Sequence, residues 1–141
     1  ECLFDFTVSA LNVWSLPDLI KWKIESNFQK MNPYPKFGGL VGYHFLYSPQ
    51  MLSAKILPLQ MKRAVTEKFN ELETWILRHH LHDSEFLDIP TGLKKIMAIP
   101  KFMNSDNWSH LFPEFLKYLS MMDQVRGTRF TDCFPEFKEY L

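Results

Sequence analysis

Histidines and carboxylates gather in one short stretch of this chain. It holds His79, His80, His82 and Asp83, with Glu85 close by. Neutral imidazoles and carboxylates bind zinc, and a site needs three or four of them converging on one point. His79 and His82 share a face at helical spacing, which makes them, with Asp83, the candidate metal ligands. The alternative, which we prefer, is that these histidines face water and meet the negative end of a helix dipole.

The two cysteines exclude most metal and redox sites. Cys2 and Cys133 lie at opposite ends of the sequence, so the chain alone assembles no C-x-x-C pair, no four-cysteine zinc site and no three-thiolate iron–sulfur motif. One disulfide between them is formally possible. No secretory signature accompanies them, because the first twenty residues contain Asp5 and Asp18 and lack a basic region. We therefore expect two free thiols in a reducing, cytoplasmic compartment.

The spacing of the polar residues contains no familiar catalytic arrangement. The sequence has no G-x-S-x-G elbow, no H-E-x-x-H pair and no glycine-rich phosphate loop. Neither Cys133 nor any serine has a visible activating neighbour. We assign no catalytic residue from the sequence.

Charge and hydropathy exclude two kinds of partner. The 141 residues carry 16 Lys and Arg and 16 Asp and Glu, and a net charge of zero gives no attraction to nucleic acid or to an anionic membrane surface. The longest uncharged run, from Phe37 to Ala54, is long enough to span a bilayer but contains His44, Pro49 and three glycines. We interpret it as a partly buried aromatic loop leading into a strand, and we expect no membrane partner.

Two predicted β/α units must position these side chains. Phe4 to Val13 alternates between two faces and is rich in aromatic and β-branched residues, which predicts a strand. A helix follows, with Ser15 as its candidate N-cap. The second unit is a strand at Leu52–Leu57, stopped by Pro58, and a long helix from about Leu59 to Leu81. The apolar positions of that helix are Met61, Val65, Phe69, Leu72 and Ile76. Residues 1–82 thus form two units of an α/β fold.

Residues 83–141 are predicted to form a mostly helical C-terminal extension. The pattern after Asp83 is irregular, with only a short amphipathic stretch around Ile96 between prolines. A helix beginning near Pro113 is predicted to end at Gly127. The sequence Phe-Pro-Glu-Phe occurs at residues 112 and 134, which we interpret as two similar helix starts. The chain is either a single domain or a fragment, and its start at Glu1 instead of methionine favours a processed start or a piece of something longer.

Three stretches together resemble the C-terminal part of twitch-type radical SAM proteins. They are Thr7–Leu16, Pro49–Lys62 and Phe115–Phe137. The third is the most specific, with an aspartate at 123, Arg-Gly-Thr at 126–128, a phenylalanine at 130 and Pro-Glu at 135–136 before a terminal helix. By this resemblance the chain supplies late β/α units of a partial (β/α) barrel, followed by covering helices.

The resemblance also implies cofactors, a partner and a site. Such proteins bind S-adenosylmethionine and a [4Fe-4S] cluster through a C-x-x-x-C-x-x-C motif in their N-terminal half, which is absent here. We therefore expect no cofactor on this chain alone, no independent activity, and a partner that is the N-terminal half of such a barrel or another subunit. Ligands of barrel folds gather at the carboxyl ends of strands, which points to Asn12, Ser15 and Leu57 as cofactor-binding residues or as ordinary strand-end caps. The alternative function is a non-catalytic α/β interaction module within a larger assembly.

Overall fold

The computed structural model describes residues 4–26, 40–80 and 88–140. There the chain is rich in helix and contains a two-stranded parallel sheet. The strands and α-helices are β1 (Asp5–Val8), α1 (Leu16–Ser26), β2 (Gly42–Phe45), α2 (Leu59–His79), α3 (Ile89–Asn104), α4 (Phe112–Arg126) and α5 (Phe130–Cys133). Short 3₁₀ segments lie at Gln50–Leu52, Ala54–Ile56, Ser109–Leu111 and Pro135–Tyr140. Mixed α/β character is therefore confirmed in this part of the chain.

The sheet separates polar from apolar side chains. The strands are parallel, with Asp5 opposite Gly42 and Val8 opposite Phe45. Because paired residues project to the same side and side chains alternate along a strand, the two faces differ in composition. One carries Phe6, Val8, Tyr43 and Phe45. The other, which we call the polar face, carries Asp5, Thr7, Gly42 and His44.

The first strand is shorter than the sequence predicts. It ends at Val8 because the Asn12 side chain accepts a hydrogen bond from the Ser9 amide at 2.9 Å and folds the chain into a turn. Asparagine competes with the strand ladder in this way when its amide reaches nearby backbone. The Val13 amide already donates to the Ser9 carbonyl at 3.1 Å. α1 then begins at Leu16, and its residues Leu16 and Ile20 are buried as expected.

The predicted strand at Leu52–Leu57 is wrong. The segment forms the two 3₁₀ turns, and the second strand is β2, inside the run interpreted as a loop. The Ser53 hydroxyl accepts a hydrogen bond from the Lys55 amide at 3.4 Å, which starts the second turn. Ala54, Ile56 and Leu57 are all buried. The apolar residues of this segment therefore reflect its position in the core, and they do not indicate a strand with alternating buried and exposed side chains.

α2 confirms its predicted apolar stripe. It ends at His79, and Leu81 lies outside the described residues. The five predicted stripe residues are all buried: Met61, Val65, Phe69, Leu72 and Ile76. They join one core with side chains from the sheet and the other helices, including Val8, Ile20, Ile96 and Phe115.

α3 is a long helix where the sequence suggested an irregular segment. Asp88 caps it, its carboxylate accepting a hydrogen bond from the Thr91 amide at 3.1 Å. Pro90 lies in the first turn, where a backbone N–H would have no hydrogen-bond partner within the helix, so the lack of an N–H in proline removes no helical hydrogen bond. Pro100 lies inside the helix and is itself buried, while its carbonyl accepts a hydrogen bond from the Asn104 side chain at 2.8 Å. Packing of the apolar face therefore outweighs the helix-breaking tendency of proline.

The C-terminal region follows its prediction at the helix end and at the first of the two repeat copies. Gly127 ends α4 with φ of 65°, a left-handed conformation that favours glycine. The first Phe-Pro-Glu-Phe copy begins an α-helix, and the second begins a 3₁₀ segment. The two copies pack together, with Phe137 fully buried at 6.2 Å from Phe112 and 5.5 Å from Phe115, measured between ring centroids.

Candidate functional site

The polar face of the sheet is uncovered among the described residues. Asp5, Thr7 and His44 are exposed on it. The opposite face packs on α3, where the Tyr43 hydroxyl donates to the Lys95 carbonyl at 2.6 Å and the Phe45 ring stacks on Phe102 at 3.9 Å. Helices normally cover both faces of a parallel sheet. The exposed polar residues of this open face are therefore candidates for a functional role.

Asp5 and His44 meet across the two strands. The Asp5 Oδ2 and His44 Nε2 atoms lie 3.2 Å apart, with side chains 43% and 78% exposed. They are diagonal neighbours, because Asp5 is opposite Gly42 and His44 is opposite Thr7. A pair this exposed contributes about 0–1 kcal/mol to stability.

Gly42 makes room for the carboxylate. A Cβ atom at this position would lie 3.2 Å from Asp5 Oδ1 and 3.4 Å from Asp5 Cγ. The carboxyl group thus lies close to the Gly42 backbone, and a side chain at this position would require the exposed Asp5 carboxylate to shift by a few tenths of an ångström.

The arrangement leaves one imidazole nitrogen available for chemistry. With Nε2 facing Asp5, Nδ1 of His44 is free to accept or donate a proton. A histidine beside a carboxylate has the residue types of a general acid–base unit.

Asn12 and Ser15 lie after the carboxyl end of β1. The Asn12 amide donates to the Thr7 carbonyl at 2.7 Å, so together with its bond to Ser9 this side chain caps the strand end. Ser15 is exposed and directly precedes α1, and its backbone amide donates to the Asn12 carbonyl at 2.9 Å. Their role in cofactor binding stays a prediction.

Leu57 does not lie at a strand end. It follows the second 3₁₀ turn and is 1% exposed, with its side chain in the core. The turns after the two strands nevertheless touch, because the Ala10 amide donates to the Leu52 carbonyl at 2.8 Å. The structure thus brings Asn12 and the 3₁₀ segments to the same end of the sheet, as expected for parallel strands.

Of the three candidate metal ligands, the structure describes His79, at the end of α2. His79 is exposed in the last helical turn, and its ring lies beside Trp75 at 5.8 Å between centroids. His82 and Asp83 are outside the described residues. Within the described ranges, no three His, Cys, Asp or Glu side chains are placed to hold a metal ion. Cys133 is a free, exposed thiol, whereas Cys2 is not described.

A second charged cluster surrounds Asp106 and has a structural role. The Lys55 ammonium lies 2.5 Å from Asp106 Oδ2, and Lys62 donates to the Asp106 carbonyl at 2.8 Å. The Lys55 ammonium also lies over the rings of Phe102 and Trp108, at 4.7 and 4.8 Å. Burial lowers the pKa of Lys62, while the hydrogen bond from Lys55 lowers the pKa of Asp106. The two lysines tie the turn after α3 to the segments before and within α2.

The aspartate at position 123, in the most specific stretch of the resemblance, organises a local turn. Its carboxylate accepts hydrogen bonds from the Thr128 hydroxyl at 2.9 Å and from the Phe130 amide at 2.8 Å. The spacing Asp-x₄-Thr-x-Phe thus has a structural explanation, since it joins the end of α4 to the start of α5.

Comparison of the chain with models of protein families, with curated proteins and with solved structures finds no match. Among the described residues, no helix has the length and apolar character needed to cross a membrane.

Sequence reasoning missed the residues of the polar face. Asp5 entered the sequence argument only as a charge, and His44 only as a polar interruption of an uncharged run. Neither carries a motif, and they lie far apart in the chain. These two residues come together through the register in which β1 pairs with β2. Predicting that register requires the position of the second strand to be predicted correctly.

Proposed function

We propose that this chain contributes two neighbouring strands and their helices to a larger parallel α/β protein, and that it has no independent activity. The observation that carries the proposal is the two-stranded parallel sheet with one open polar face. Parallel sheets are normally covered on both faces, and sheets of two strands are marginal by themselves. Further strands would close the polar face into an interior.

The outer edge of β1 supports this proposal. The carbonyls of Phe4 and Val8 accept hydrogen bonds from the amides of Gly42, in β2, and Leu46, which follows it, at 2.9 and 3.0 Å. Because successive carbonyls of a strand point in opposite directions, those of Asp5 and Thr7 point away from β2. In the described part of the chain this edge meets no third strand. An edge of this kind is a template for a further strand.

The resemblance to twitch-type radical SAM proteins gives the proposal its specific form. The larger protein would be a partial (β/α) barrel in the cytoplasm, whose N-terminal half carries the cluster motif and binds S-adenosylmethionine. The order β1, α1, β2, α2 followed by further helices is compatible with that architecture. Asn12 and Ser15 would then face the cofactor end of the barrel.

This chain does not fit the iron–sulfur cluster by itself. A [4Fe-4S] site of that family needs three thiolates, and the sequence contains two cysteines, one at each end. We therefore derive no step of the reaction through the cluster. The contribution of this chain is to supply strands, carboxyl-end loops and a polar interior face.

Sequencing the source gene upstream of the Glu1 codon, with iron reconstitution, tests the proposal. We expect a C-x-x-x-C-x-x-C motif in the same reading frame or in a neighbouring gene. Residues 1–141 incubated anaerobically with iron and sulfide should acquire no stoichiometric cluster, whereas the complete protein should acquire one. A cluster on residues 1–141 alone, or a complete protein without that motif, would overturn the radical SAM form of the proposal.

The alternative, a non-catalytic interaction module, is favoured by one observation. Met121 and Val125 lie one helical turn apart on α4 and are 56% and 82% exposed. Exposed apolar neighbours of this kind often mark a protein interface. If the module hypothesis holds, Met121→Gln with Val125→Gln should abolish co-purification of a partner. If the sheet is the interface, the same double variant should retain it.

A further inference from the structure

The outer face of α2 carries a groove along which the side-chain charges change sign. The groove has a volume of about 410 Å³ and follows α2 from Glu67 to His79. Glu67 and Glu71 lie toward its N-terminal end, whereas Arg78 lies at its C-terminal end. These three residues are exposed and form no ion pair with any residue that the structure describes. The groove is therefore bordered by charges that the described part of the chain does not neutralise.

Apolar side chains flank the middle of the groove. Trp75 is half-buried in its wall, and the Lys21 ammonium lies 5.0 Å from the centroid of the indole ring. Leu77 is 43% exposed and lies one helical turn after Thr74, on the same side of the helix. A less polar centre with a charged rim is typical of a protein interface, and tryptophan is enriched among the residues that contribute most to binding. This composition favours a protein as the occupant.

We propose that the occupant is a second copy of this chain, with the two α2 helices antiparallel about a twofold axis near Thr74. In a parallel pair, like charges would lie beside each other. In the antiparallel pair, a rise of about 1.5 Å per residue places Arg78 of one copy about 6 Å from the axis, between Glu71 and Glu67 of the other at about 4.5 and 10.5 Å. The face is thus complementary to itself, as a twofold interface requires.

The rest of the chain is compatible with this dimer. The groove lies on the side of α2 away from the five buried stripe residues, so a second copy can dock without disturbing the core. The net charge of zero adds no overall repulsion between copies. Since one helix per copy gives a small interface, we expect a weak, reversible dimer. The inference does not depend on the proposed function, because the sheet takes no part in it.

Sedimentation velocity of residues 1–141 at pH 7 tests the proposal. We expect a monomer–dimer equilibrium at protein concentrations of about 1 to 100 μM, the range in which weak complexes form. The dissociation constant should rise with salt, because ions screen the charge pairs at the rim. A chain that stays monomeric over this range leaves the groove to a different protein, and the proposal is then wrong.

Charge reversal distinguishes the groove from other surfaces. Arg78→Glu and Glu71→Arg should each raise the dissociation constant by about tenfold or more, because each places like charges across the twofold axis. The matched control is Lys117→Glu on α4, an exposed residue one turn before Met121, which should leave the dissociation constant close to that of the wild type. Urea unfolding checks that each variant keeps the fold. If Arg78→Glu weakens the dimer no more than Lys117→Glu, the groove is not the interface.

A mixture of the two reversed variants gives the sharpest measurement. Each variant alone should be monomeric where the wild type dimerises. An equimolar mixture of Arg78→Glu with Glu71→Arg should form a heterodimer, because two glutamates of one copy then face two arginines of the other. Two folded variants that stay monomeric when mixed would overturn the proposal. Iron reconstitution does not involve this face of α2, so its outcome and that of the mixing experiment are independent.

Discussion

At the scale of single residues, Lys62 shows how this fold accommodates a buried cation. It is 4% exposed, and its ammonium donates to the Asp106 carbonyl. Burial lowers the pKa of Lys62 most, and the positive charge of Lys55 adds to this effect, while Asp106 opposes it. Two lysines thus share one nearby carboxylate, and the ammonium of Lys62 relies on a backbone oxygen.

Replacement of Lys62 by methionine tests this cost of burial. Lys62→Met should change the free energy of unfolding at pH 7 by less than about 1.5 kcal/mol, because a buried charge and its hydrogen bond are exchanged for apolar packing. Since the pKa of Lys62 is lower in the folded state, the unfolded state binds more protons below the usual value of 10.5. The wild type should therefore gain stability relative to the variant as pH rises toward that value. Urea titrations of both proteins at several alkaline pH values measure the difference, and the opposite slope would contradict the assignment.

Glu136 presents the converse case of a partly buried acid. Its Oε1 atom is buried without a hydrogen-bond partner among the described residues. Burial raises the pKa of Glu136 above its usual value, opposed in part by the hydrogen bond from its own backbone amide and then by the charge of Lys68. Glu136→Gln should stabilise the protein at pH 7 by up to about 1 kcal/mol, because removing a neutral amide from water costs less free energy than removing a charged carboxylate.

The pH dependence of that substitution has a definite sign. A raised carboxyl pKa stabilises the fold at pH values below the unfolded value of 4.5, and this stabilisation is lost as pH rises through the folded value. The advantage of Glu136→Gln over the wild type should therefore shrink as pH falls toward 4.5. Thermal unfolding of the two proteins between pH 4 and pH 7 measures this difference in stability. An advantage that is constant over this range would show that the titration of Glu136 is not coupled to folding.

At the scale of elements, the C-terminal segment after Gly127 is held by one aromatic anchor. Phe137 is fully buried against Phe112 and Phe115. Phe137→Ala should cost about 3–5 kcal/mol if the segment unfolds together with the whole protein. Val125→Ala provides the matched control on α4, because Val125 is 82% exposed and should change stability by less than about 0.5 kcal/mol.

Limited proteolysis can detect whether Phe137→Ala releases the C-terminal segment after Gly127. In the Phe137 variant, we expect cleavage after Arg126 or Arg129 by trypsin to become faster than in the wild type, because the segment that covers Phe112 is released. Equal cleavage rates in the two proteins would show that the segment is held mainly by the Asp123 contacts with Thr128 and Phe130.

The sequence predicts a helix or a helix end correctly where the pattern that specifies it lies within a few neighbouring turns of the chain. α2 has a regular apolar stripe, and Gly127 marks the end of α4, so both follow from spacing and local conformation. β2 has four residues, and its pairing with β1 is a contact between distant parts of the chain, so no local pattern identifies it. α3 was obscured because Pro90 and Pro100 suggest breaks, although the first lies in the opening turn and the second is held by tertiary packing. The Asp5–His44 pair was unpredictable for the same reason as β2, since its geometry follows from the register.

At the scale of the whole molecule, the proposal of a larger sheet predicts a pattern of amide hydrogen exchange. In residues 1–141 alone, the amides of Asp5 and Thr7 should exchange faster than those of Phe6 and Val8, because only the second pair faces β2. In the complete protein, a neighbouring strand should slow exchange at Asp5. Exchange measured by NMR in both forms tests this expectation. If Asp5 exchanges equally fast in the two, no strand pairs with that edge.

The hydrogen bond from Asn12 to the Thr7 carbonyl has a consequence for how such a sheet assembles. It places the Asn12 side chain at the outward-facing carbonyl nearest the end of β1, so an incoming strand would meet that side chain at Thr7 but not at Asp5. If a further strand docks on this edge as proposed, alignment at the beginning of β1 is the arrangement that leaves the Asn12 side chain in place. A single asparagine would then select one alignment of the neighbouring strand and keep the carboxyl-end loops clear of backbone pairing.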